Sequence, residues 1–405
     1  MLKKNIYLKI FPLLFILFIG SNSDLISQNK LTSSNDSIEI NPYVMYRYAS
    51  MRVHVGKHIY TGNTLSEELS QGYRSFDLRL GWQNSKPEHW TNKYYNSTSY
   101  GIGFYASYIG TPEVLGTPTA IYAFINFPYG NFSKRTTFVT SAAIGITYNS
   151  KYYHEHKNPM NDALGSALSI YVNVGFGIET ILTRNTDLLY GINYTHFSNG
   201  RIVVPNYGFN MLGLNLGFKY HYNKTKKKIS SNNTPEKIVQ ARFKRTQSKK
   251  APIKLTQRIN ILTSFGTVQN GYLETVDKST LKNRYYTFSG YLEHQLNLTI
   301  KHGIDTGFDL FYDESLINRY PNSKDWYLYG YHFGYNYTFG KILLKLDLGG
   351  YLGPDGSKDK DNIWARAALQ YKILNWMGLH LALKTKQGFT ADWAELGVVF
   401  EPFKW

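Results

Sequence analysis

The chain of 405 residues contains no cysteine. That excludes disulfides, a cysteine nucleophile and a lipid-modified amino-terminal cysteine. No apolar run approaches the ~20 residues a membrane-spanning helix needs. The longest, Ile10 to Gly20, follows Lys3, Lys4 and Lys9 and is followed by Ser21, Asn22 and Ser23. This is the layout of an export signal, expected to occupy residues 1–27. Also scarce are the helical or two-sided Leu, Ile and Val runs from which a soluble core is built. Tyrosine (35), phenylalanine (23) and glycine (34) are abundant instead, while mean hydropathy is negative.

Acids are outnumbered, 28 against 45 Lys and Arg. The excess is local: Lys224 to Lys254 carries eleven basic residues and one acid, Glu236. A charge run confined to one polar stretch reads as a solvated loop or linker, and no nucleic-acid partner is expected of an exported chain.

Elsewhere the pattern has period 2, the signature of strands. Leu168, Ile170, Val172, Val174, Phe176 and Ile178 alternate with Ser169, Tyr171, Asn173, Gly175 and Gly177. Leu212, Leu214, Leu216, Phe218, Tyr220 and Tyr222 alternate with small or polar residues in the same way. Later, Ile342, Leu344, Leu346 and Leu348 oppose Leu343, Lys345, Asp347 and Gly349. Charges opposite a continuous apolar row fit a lipid-facing exterior and a polar lumen. The aromatic end, Phe400 to Trp405, fits as well. The expected fold is therefore all-β, a transmembrane antiparallel β-barrel in the outer membrane. About eight strands are expected before Lys224 and six to eight after Lys254. A single barrel of 12–16 strands is favoured, and an eight-stranded barrel followed by a second one is the alternative. The corresponding divisions are 28–223, a basic linker or loop at 224–254, and further strands over 255–405. Asp305, Asp309, Lys345 and Asp347, on inward faces, either line a channel or pair with one another.

The chemistry concentrates between Tyr194 and Asn210. His196 and Ser198 stand two residues apart in a strand, so they leave one face, and it is the apolar face of Leu188, Tyr190, Ile192 and Tyr194. A serine hydroxyl needs an adjacent base to act as a nucleophile, and donors to meet the oxyanion that forms. Asn199 and the Gly200 N–H are the candidate donors. Tyr190 and Tyr194 read as interfacial aromatics. His154-Glu155-His156 offers two histidines in a polar loop without a third ligand, so no metal and no cofactor is expected.

The segments His196-Phe197-Ser198-Asn199 and Asn206-Tyr207-Gly208 resemble the PagL-type lipid A 3-O-deacylases, with a weaker echo from Asn158-Pro159-Met160 to Leu168. The resemblance covers residues 28–222. It implies an eight-stranded outer-membrane barrel, lipopolysaccharide as partner, Ser198 as nucleophile and His196 as base. Two departures stand out. A family glycine falls at Arg201, and the family glutamate falls at Asn210. A hairpin pairing Ser198 with Gly208 sets Asn210 opposite His196, where an amide can orient an imidazole. The resemblance thus implies a carboxylic ester hydrolase. The alternative is a non-catalytic porin or structural barrel with a decayed site.

Overall fold

A computed structural model of the chain describes residues 45–405 except 61, 63, 132–134, 228–236, 241–242, 244–250, 270–283, 317–325, 354–361 and 387–389. The expected export signal lies outside the described residues.

The first half alternates through β1 (Met45–His58), β2 (Tyr73–Asn84), β3 (Ser99–Tyr108), β4 (Thr119–Asn131), β5 (Thr136–Tyr148), β6 (Leu168–Ile181), β7 (Thr186–Ser198) and β8 (Phe209–His221). Each is long enough to cross the hydrocarbon core, which takes about 9–11 tilted residues. Neighbours pair antiparallel, and β8 returns to β1 with Met51 opposite Phe218, closing a barrel. A short antiparallel pair follows in the basic stretch, β9 (Lys224–Lys227) with β10 (Lys237–Gln240). The second half runs through β11 (Ile253–Gln269), β12 (Arg284–Thr299), β13 (His302–Asp313), β14 (Tyr327–Phe339), β15 (Ile342–Leu352), β16 (Ile363–Lys372), β17 (Met377–Lys386) and β18 (Thr390–Lys404). There β18 pairs with β11 and closes a second barrel.

Two eight-stranded barrels therefore replace the single barrel of 12–16 strands favoured from sequence, and the alternative is the architecture found. Alternation assigns each residue a face, but closure depends on whether β8 meets β1 or β9. No local pattern carries that choice. An even strand count in each half has a simple consequence. The linker and the carboxyl end lie at one end of the barrels, and the β7–β8 turn lies at the other.

The outer faces are apolar, with Val53, Leu80, Ile121 and Leu214 exposed on the first barrel and Phe308, Phe333, Leu348 and Leu396 on the second. The lumens are packed, as expected for barrels this narrow. In the first, Tyr105, Tyr122, Tyr171, Phe197 and Phe209 form one aromatic core. Below it Asp77 pairs with Arg79 at 2.9 Å and accepts from the Tyr122 hydroxyl. In the second, Arg366 lies 2.9 Å from Glu395, 3.0 Å from Asp309 and 3.5 Å from Asp347. Lys345 pairs with Glu293, and lies 3.6 Å from Asp305 and 3.9 Å from Asp347. These inward charges pair with one another.

Glu293, Asp305 and His332 offer three ligand atoms close together, but the Lys345 ammonium already serves as their cation. Removing one member of such a buried network strands the others, at a cost of about 3–5 kcal/mol. Arg366→Leu is accordingly expected to lower the unfolding free energy of the second barrel by that amount, and its urea midpoint with it. The check is the loss of the unheated, compact band in detergent gels. An unchanged midpoint would mean that the network contributes nothing to stability.

Candidate active site

His196 and Ser198 end β7 on its outer face, with Phe197 between them pointing inward. Phe197 is fully buried 5.9 Å from Tyr105 and 5.6 Å from Tyr171. Its register partner across the hairpin is Phe209, also buried. These two rings anchor the strand ends, so the outward residues on either side of them are held in place. His196 faces Asn210 across the pair.

His196 Nε2 lies 2.9 Å from Ser198 Oγ, and His196 Nδ1 lies 2.7 Å from Asn210 Oδ1. A carbonyl oxygen only accepts, so Nδ1 carries the proton and Nε2 is left to accept from the serine hydroxyl. Tyr194 Oη also donates to Asn210 Oδ1, at 2.7 Å. Two donors converging on one oxygen fix the orientation of the amide. Tyr194, read from sequence as an interfacial aromatic, is thus also tied to the candidate residue Asn210. Its parity with His196, two residues before it, was the available signal.

The loop between β7 and β8 is braced from three sides. Asn206 Oδ1 accepts from the Asn199 N–H at 3.1 Å. Asn199 Nδ2 donates to Ser166 Oγ at 3.0 Å and to the Val203 carbonyl at 2.9 Å. The Asn199 side chain, expected to meet an oxyanion, is thus committed to holding the turn. The Gly200 N–H has no partner among the described residues. Tyr207 and Gly208 donate to the carbonyls of Asp162 and Ala163, so the upstream segment from Asn158 to Leu168 is the platform under the loop. Tyr60 Oη in turn donates to Asp162 at 2.5 Å. Burial and the neighbouring carboxylate push this phenol up to about 12, so it stays protonated as a donor. His154, Glu155 and His156 are exposed in the same loop.

Gly208 has a positive φ of 73°. A Cβ there would stand 2.9 Å from His196 Cε1 and 3.3 Å from Ser198 Cβ. The glycine of the Asn-x-Gly turn is therefore required by close approach as well as by backbone conformation. Gly208→Ala is expected to displace the imidazole and lower kcat roughly 100-fold, the cost of an ångström-scale misplacement. Steady-state hydrolysis of a soluble ester would measure it, and wild-type turnover would show that the contact relaxes without moving His196.

The second barrel reaches this end of the first. Arg201 Nη1 lies 3.3 Å from Asp392, and the Gln269 side chain accepts from the Val204 N–H at 3.0 Å. Ser198, at the strand end, is only 8% exposed. Contacts separated by 191 residues, as between Arg201 and Asp392, have no local sequence signature.

Residues 77–219 match the family described as lipid A 3-O-deacylase (PagL), and residues 257–405 match the acyloxyacyl hydrolase C-terminal domain. Both matches are to PagL-type family models. One family segment falls in each barrel, and the protein is an outer-membrane barrel protein. No curated protein sequence matches the chain. Among solved structures, the outer-membrane enzyme PagL is 16% identical, with a TM-score of 0.30, over 42% of this chain and 97% of its own. Neisserial surface protein A is 15% identical, with a TM-score of 0.30, over 44% and 97%. The amino-terminal barrel of Pseudomonas aeruginosa OprF is 11% identical, with a TM-score of 0.24, over 43% and 97%.

Beside the candidate site the backbone adopts a glycine-like conformation at Arg201. Gly200 and Arg201 have successive positive φ values of 63° and 69°. For a non-glycine residue this costs about 1–2 kcal/mol, and the Arg201–Asp392 pair holds the side chain that the conformation disfavours. Arg201 thus carries an anchor to the second barrel.

Proposed function

We propose that this chain is a serine esterase that hydrolyses an acyl ester of lipid A in the outer membrane. The observation that carries the reading is the chain Ser198–His196–Asn210, joined at 2.9 and 2.7 Å on the lipid-facing side of a barrel. A porin reading meets two lumens that hold buried aromatic and ion-paired side chains.

In the reaction, Ser198 Oγ attacks the ester carbonyl carbon as its proton passes to His196 Nε2. The oxygen that becomes negative is met by the Gly200 N–H. The intermediate collapses by breaking the bond to the sugar oxygen, which leaves with the proton from His196. A water then attacks the acyl carbonyl on Ser198 and gives its proton to the same nitrogen. Ser198 departs as the hydroxyl, and a fatty acid is released. Asn210 holds the imidazole tautomer throughout. It cannot stabilise the imidazolium by charge, so turnover slower than with a carboxylate is the expectation.

The test is release of fatty acid by the purified protein from vesicles containing lipopolysaccharide. Release that depends on Ser198 supports the reading, and absence of release from a folded protein overturns it.

Sidedness follows from the substrate. Lipid A lies in the outer leaflet, so the β7–β8 end faces outward and the stretch 224–254, at the opposite end, faces the periplasm. Protease added to intact cells is expected to leave this lysine-rich stretch uncut, and to cut it once the outer membrane is permeabilised. Cleavage in intact cells would place the dyad at the wrong leaflet.

A further inference from the structure

The two barrels touch at both ends and separate between them. At the dyad end, Gly200 packs against Ala394 and Arg201 pairs with Asp392. At the other end, Tyr95 Oη donates to the Thr338 carbonyl at 2.5 Å, and Trp90 packs on Phe339 at 4.5 Å. Between these contacts lies a cleft of about 1740 Å³. One wall is the outer face of β4 to β6, including Ile144, Ile170 and Val172. The other is the outer face of β15 to β18, including Leu346, Leu369 and Leu383. His196 and Ser198 stand in the wall at one end.

We propose that this cleft holds the acyl chains of the lipid substrate, so that the second barrel forms half of the binding site. The inference rests on the esterase reading above. Its occupant follows from three features. The space is lined by apolar side chains within the membrane-crossing part of both barrels, where water has no partners. It is larger than the ~300–1,000 Å³ that encloses a drug-sized ligand, which suits a lipid with several chains. And it opens on Ser198 Oγ, so a chain lying in it presents its ester carbonyl to the nucleophile. Ala123, Ala142, Ala367 and Ala394 line it with small side chains, keeping the gap wide where a lipid-facing surface would ordinarily carry larger ones.

The test uses the full-length protein in bilayers and a long-chain alkyl phosphonofluoridate with a diazirine near the end of its chain. Ser198 Oγ forms the bond to phosphorus, fluoride leaves, and His196 takes the hydroxyl proton. Illumination then crosslinks the chain to whatever surrounds it, and peptide mass spectrometry locates the crosslinks. Crosslinks on both walls, in 342–346 or 367–383 as well as in 142–174, are expected. Crosslinks confined to the first barrel, for example on 212–220, overturn the inference and leave the esterase standing. Absence of any Ser198 adduct overturns both. A second measurement is the ratio of kcat/KM for long-chain over short-chain esters. Ala367→Trp, which fills the cleft from the second barrel, should lower that ratio about tenfold or more. An unchanged ratio contradicts the proposal.

Discussion

Ser198→Ala should abolish ester hydrolysis, with a loss on the order of 10⁴–10⁶-fold in kcat, while the protein remains a folded barrel. The hydroxyl makes one hydrogen bond, to His196 Nε2 at 2.9 Å, so its removal costs only about 1 kcal/mol of stability. His196→Ala should lose nearly as much activity, because without the base the serine is an ordinary alcohol. The double variant should be no worse than either single one, since the two act as a unit. These outcomes require the unheated gel mobility of the wild type in each variant, which separates loss of chemistry from loss of fold. Substantial turnover by Ser198→Ala would mean that a water activated by His196, or another nucleophile, attacks the ester.

Asn210 carries the second large effect. Its Oδ1 accepts from both Tyr194 Oη and His196 Nδ1–H, each at 2.7 Å. Asn210→Ala removes the acceptor that selects the Nδ1–H tautomer, and roughly 10²–10⁴-fold of kcat should go with it. Asn210→Glu should retain or raise activity. A carboxylate accepts from the same two donors and also stabilises the imidazolium formed in the transition state. Tyr194→Phe should matter less than Asn210→Ala, because His196 keeps its own acceptor. Rates indifferent to every change at Asn210 would show that another group orients the ring.

Much of this was legible in the chain because strand side chains alternate. Parity alone put Leu212 and Leu214 outside, Lys345 and Asp347 inside, and His196 with Ser198 on the lipid face. A hairpin register then set Asn210 opposite His196. What alternation does not encode is distance across the fold. The closure of β8 on β1 and the pairing of Arg201 with Asp392 join residues far apart in sequence. The competition for the Asn199 amide was hidden for another reason. Its partners, Ser166 and Val203, meet it only when the 158–168 segment folds beneath the loop. Likewise, inward charges in the second half were readable, but whether they faced water or one another depended on the radius of a barrel not yet counted.

The central claim is that Ser198 and its histidine remove an acyl chain from lipid A. The most direct measurement is mass spectrometry of lipid A from cells producing the wild-type chain or Ser198→Ala at equal levels in the outer membrane. The account predicts lipid A lighter by one acyl chain with the wild type, and unmodified lipid A with the variant. Identical lipid A from both strains would contradict it.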